Sequence, residues 1–109
     1  MQKFNDNWAL LSRINFLQRK IILNSILYYE YDMNSLPDNF YDDICRQLVD
    51  YQKQYSEIGN IFEDSEYGYV YYDFDGSTGY HLYGRLNEDD RKYLDLITVT
   101  YINNRRKRG

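Results

Sequence analysis

The chain has 109 residues, 43% hydrophobic and 28% charged, which fits one soluble domain and excludes wholesale disorder or two independent cores. Net charge is −4, but Arg105, Arg106, Lys107 and Arg108 hold four of the 13 basic residues; the remainder, 9 basic against 17 acidic, is −8, so long-range repulsion argues against direct nucleic-acid binding. Cys45 is the single cysteine, which excludes an intramolecular disulfide and fits a reducing cytoplasm; every apolar run is interrupted before it could cross a bilayer, and no signal peptide or membrane association is expected.

Residues 8–31 place Trp8, Leu11, Ile14, Leu17, Ile21, Ile22, Ile26 and Tyr29 mostly three and four apart, which predicts an amphipathic helix. Asp6 or Asn7 would cap it, and Arg13, Gln18, Lys20 and Asn24 would form its polar face. Residues 32–38 break the pattern. Ser35 and Asp38 are spaced as a capping box around Pro37, which falls in the first turn, where its missing N–H costs nothing. A second helix follows over roughly 37–56, with Phe40, Tyr41, Ile44, Cys45, Leu48, Tyr51 and Tyr55 as its apolar set and Cys45 as a buried inert thiol.

Residues 67–74, Tyr-Gly-Tyr-Val-Tyr-Tyr-Asp-Phe, are aromatic and β-branched and predict a strand; residues 75–79 read as a turn and 80–83 as its return. Asn87 then caps a helix over 88–103, with Glu88, Asp89 and Asp90 in its first turn and a frayed basic tail over 104–109. The expected fold is a single α+β domain: an antiparallel helical hairpin (8–55), a β-hairpin (67–84) and a C-terminal helix.

Two tyrosines, Tyr28 and Tyr29, end the first helix, while Asp38, Tyr41 and Asp42 share a face at the start of the second. Folding the loop brings aromatic planes and carboxylates together near one helix N-terminus. Tyrosine can stack on a flat cationic ring, and carboxylates can accept from ribose hydroxyls or a carboxamide. The same residue types also serve packing and capping.

The ungapped run Tyr-Tyr-x-x-Asp-x-x-x-Leu-x-Asp-x-x-Tyr-Asp-x-Ile-x-x-x-Leu, residues 28–48, resembles the signature of the Ia domain of NAD-dependent DNA ligases. The resemblance covers roughly residues 20–55 and is moderately specific. It implies that nicotinamide mononucleotide (NMN) contacts fall on Tyr28, Tyr29, Asp38, Tyr41 and Asp42. Asn34 departs from the proline usual in the family.

A ligase of this family also needs a nucleophilic lysine in Lys-x-Asp-Gly, within a domain larger than this chain. The nearest string is Asp73-Phe74-Asp75-Gly76, where aspartate cannot form the phosphoramide, so catalysis is not expected. The same string lacks the terminal glutamate of a calcium loop, because Gly84 stands there. One Cys and one His make no transition-metal set; His81 reads as strand packing and Glu63, Asp64 and Glu66 as a solvated loop.

Three functions follow as expectations. The first is a non-catalytic module that binds NMN or NAD, of a kind expected in phage or mobile-element genomes. The second is a phage-encoded, protein-interaction inhibitor of a host defence system, of anti-CRISPR type, that reuses the scaffold and acts in the host cytoplasm. Its acidic groups would imitate phosphate and its tyrosines would anchor the interface. The third is an accessory subunit that supplies the NMN-binding half to a separate ligase chain.

Overall fold

A computed structural model describes residues 2–33, 38–76 and 79–108. The element order is α1 (Gln2–Tyr31), α2 (Asp38–Tyr55), α3 (Ile61–Asp64), a 3₁₀ turn (Gly68–Val70), α4 (Leu82–Arg85) and α5 (Glu88–Arg108). A helix of 30 residues is about 45 Å long. The longest dimension of the molecule is 46 Å, so α1 is its spine. No described helix is long and apolar enough to cross a membrane.

Helix α1 begins at Gln2, more than a turn ahead of the Asp6–Asn7 start that capping chemistry suggests. It buries Ile14, Leu17, Gln18, Ile21, Ile22, Ser25 and Ile26, two residues per turn. A stripe that wide is covered from more than one side: α2 packs along one flank, and α4 and α5 also meet α1. Gln18 therefore does not belong to the polar face. It is fully buried, while Arg13 is exposed and Lys20 and Asn24 are half-buried.

Asp32 terminates α1 at φ 53, and the Met33 N–H donates to the Leu27 carbonyl at 2.9 Å. Only glycine visits that region without cost, but Asp and Asn tolerate it better than other residues. The capping box of Ser35 and Asp38, Pro37 and the Asn34 departure lie outside the described residues. Helix α2 buries Cys45, Leu48, Gln52 and Tyr55, a narrow stripe at three- and four-residue spacing. Burial pushes the Cys45 thiol up to about 11, so it is protonated at neutral pH.

The α+β expectation is overturned. No strand is present among the described residues, and residues 67–76 and 79–84 wind as a 3₁₀ turn, tight turns and the short α4 instead of a β-hairpin. The burial pattern gives the reason. Tyr67, Val70 and Tyr71 are buried and Phe74 is half-buried, while Tyr69, Tyr72 and Asp73 are exposed. That is three-and-four spacing, whereas a strand would alternate. Gly76 does form a turn at φ 89, and Ser77 and Thr78 lie outside the described residues.

Gln18 fastens this segment to the helices. Its Nε2 donates to Gln52 Oε1 (3.1 Å) and Ser65 Oγ (3.0 Å), its Oε1 accepts from the Tyr67 N–H (3.2 Å), and its carbonyl accepts from the Tyr71 hydroxyl (2.7 Å). Arg85 clamps the far end. It forms a fork to Asp73 (2.7 and 3.0 Å), donates to the Val70 carbonyl (3.0 Å) and lies over the Tyr72 ring. Asp73 is thus half of a surface ion pair, and Arg85 holds its carboxyl below the usual range. Asn87 accepts from the Asp90 N–H at 2.8 Å and caps α5, which stays helical to Arg108, through most of the stretch expected to fray.

Candidate functional site

The carboxyl-terminal end of α1 meets the segment leading into α4, and a recess of about 280 Å³ opens between them. Ser25, Tyr29 and Glu30 form its α1 side; Tyr80, His81, Tyr83 and Gly84 form the other. Ser25 and Tyr29 are one helical turn apart and so point to the same side. The Tyr29 and Tyr80 rings meet edge to face at 5.1 Å, Tyr28 stands edge-on to Tyr29 at 4.8 Å, and His81 stands edge-on to Tyr80 at 5.0 Å. These geometries suit the ring quadrupoles. They assemble a bent aromatic wall whose two central members remain 45% (Tyr29) and 60% (Tyr80) exposed.

The polar groups have defined states. The Ser25 hydroxyl donates to the Ile21 carbonyl (2.9 Å) and lies 3.3 Å from the Tyr41 hydroxyl. Gly79 closes over that pair: a Cβ there would come within 2.8 Å of the Tyr41 oxygen, so only glycine lets the backbone approach. Burial pushes Tyr41 up to about 12. The Tyr83 hydroxyl lies 3.1 Å from both carboxylate oxygens of Asp95, and burial raises its pKa. Among the described residues, Glu30 is the one carboxylate lining the recess, and no Lys or Arg lines it.

The five residues singled out by the ligase resemblance divide. Tyr29 lines the recess. Tyr28 is exposed beside it and braces Tyr29. Tyr41 is half-buried beneath the recess, with its hydroxyl committed to Ser25. Asp42 is exposed on α2 and is not among the lining residues. The backbone of Asp38 opens α2, and its side chain lies outside the described residues. Aromatic residues are thus gathered, but Asp42 does not join them.

Tyr80, His81, Tyr83, Glu30 and Ser25 are lining residues that sequence reading missed. Assigning 80–83 to a strand gave His81 a packing role, whereas it is exposed at the start of α4. The one-turn spacing of Ser25 and Tyr29 was the available signal. Among the described residues, no group of three or more His, Cys, Asp or Glu side chains could hold a metal ion. No family model, curated protein or solved structure matches the chain.

Proposed function

We propose that the chain is a non-catalytic module that binds the nicotinamide end of NMN, NAD or a similar nucleotide in the recess at the end of α1. The observation that carries this reading is the crossed pair of half-exposed rings, Tyr29 and Tyr80, in a recess that Glu30 also lines. A flat cationic ring stacked on one tyrosine meets the edge of the other and balances its charge against Glu30. The exposed His81 offers a polar partner for a carboxamide or ribose hydroxyls. A recess of about 280 Å³ stands at the lower end of ligand-sized pockets and suits a nicotinamide riboside unit, not a whole dinucleotide. Since no cation lines it among the described residues, the phosphate projects outward and adds little affinity.

Calorimetric titration tests this. Nicotinamide riboside, NMN and NAD should bind with similar affinity, and AMP and ADP-ribose should not bind. Tyr29→Ala and Tyr80→Ala should each weaken binding about tenfold, a typical cost for one stacking contact. Asp42→Ala separates the recess from the motif face. It leaves affinity unchanged if the recess is the site, and abolishes binding if the α2 face is.

A second reading draws on a different observation. Tyr28 (53%), Tyr31 (42%) and Phe40 (56%) are exposed around the junction of α1 and α2 on an acidic body. Such aromatic anchors fit a protein-interaction inhibitor of a host nuclease. A folded protein with no nucleotide binding at millimolar ligand would sink the first reading and leave this one, to be tried as protection of a plasmid from CRISPR interference.

A further inference from the structure

On the other side of α1 an open groove of about 470 Å³ runs between α1 and α5. Leu23, Leu27 and Thr98 lie along its floor, and Phe16, Ile97 and Tyr101 wall it. The Thr98 hydroxyl is turned back onto the Leu94 carbonyl (2.8 Å), so it presents its methyl group to its surroundings at no polar cost. The volume falls within the range of small-molecule sites, and the lining is mainly apolar, as in such sites.

The charge at its edge runs against the rest of the molecule. Arg19 and Lys20 line the groove, and neither is ion-paired with a described residue. Lys20 Nζ sits 5.5 Å from the centre of the Phe16 ring, and Arg105 reaches the Tyr101 hydroxyl at 3.5 Å. Three cations therefore border one apolar groove, in a chain whose other residues, 10 basic against 17 acidic, carry −7.

We infer that the groove binds an apolar carboxylate of the fatty-acid class, with its chain over Leu23 and Leu27 and its head group against Arg19 and Lys20. An alkyl chain matches the apolar lining, and a single anionic head matches the edge. The shape favours such a chain over a partner's helix. Phe16 to Leu27 spans about 16 Å of α1, but Ile97 to Tyr101 is only about 6 Å of α5. One short wall suits a narrow chain better than a helix about 10 Å wide.

The test uses three probes with the same tail: dodecanoate, dodecanol and dodecyltrimethylammonium. Each is titrated below its micelle concentration into the full chain by calorimetry, with methyl NMR to locate it. Dodecanoate should bind about tenfold more tightly than the ammonium and shift the Leu23, Leu27 and Ile97 methyls. The Arg19→Glu/Lys20→Glu variant, folded by circular dichroism, should reverse that order. Equal affinity for all three heads, shifts confined to other methyls, or no dodecanoate binding up to its solubility would each overturn the inference. The head-group comparison on the unmodified chain stands even if the charge-reversed variant fails to fold.

Discussion

Gln18 lies four residues from both Ile14 and Ile22, so its angle on α1 is that of the buried stripe even though its chemistry is polar. Its place in the core was legible from spacing, and residue type concealed it. What no spacing could reveal is the set of partners, because Gln52, Ser65 and Tyr67 come from 34 to 49 residues away. Both amide hydrogens and the amide oxygen are used, and among the described residues no buried side-chain nitrogen or oxygen lacks a partner. Leucine at this position would fit by volume but orphan the Tyr67 N–H and the Gln52 oxygen. Each stranded group costs about 1–3 kcal/mol, partly offset by the gain in apolar burial. Gln18→Leu should therefore lose about 2–3 kcal/mol in urea unfolding, with an unchanged slope. An unchanged midpoint would mean that the network contributes nothing net.

At the scale of elements, the two long flanking helices and α5 were readable because each repeats its apolar residues every three or four positions over many turns. The middle of the chain was not. Aromatic composition over 67–74 suggests a strand, yet the buried set Tyr67, Val70 and Tyr71 has helical spacing that a short run hides. The tight winding also depends on an approach that composition does not report. A Cβ on Gly68 would stand 2.6 Å from the Ile61 carbonyl oxygen and 2.7 Å from the Phe62 Cα, both backbone atoms of α3. The candidate site inherits the same limit, since Tyr80 reaches Tyr29, and His81 the recess, only because 79–85 turns into α4. Gly68→Ala should force α3 away from the 3₁₀ turn and cost about 1–3 kcal/mol, the usual range for overpacking. Thermal unfolding checks this, and a neutral result would show that the α3 contact yields freely.

Across the whole molecule, tyrosine hydroxyls sit at nearly every junction. Tyr41 meets Ser25 between α1 and α2, Tyr71 bonds the Gln18 carbonyl, and Tyr69 donates to Asp90 at 2.5 Å to hold α5. Burial raises all three and Tyr67 as well, Tyr41 and Tyr69 to about 12 and the other two further. The folded values exceed the unfolded value of about 10, so folding favours the protonated form. That contribution is complete below about pH 10 and falls away as pH rises through 10 toward 12, because the unfolded chain releases its protons first. Helical circular dichroism followed against pH should stay level to about pH 10 and then collapse before about pH 12. Part of the tyrosinate absorbance should rise with the same midpoint. Tyr71→Phe should lower neutral stability by about 1 kcal/mol, the worth of one hydrogen bond, while making the alkaline decline shallower. Ionisation of all 14 tyrosines near pH 10 with the helical signal intact would contradict this, since it would require the junction hydroxyls to ionise in place without cost.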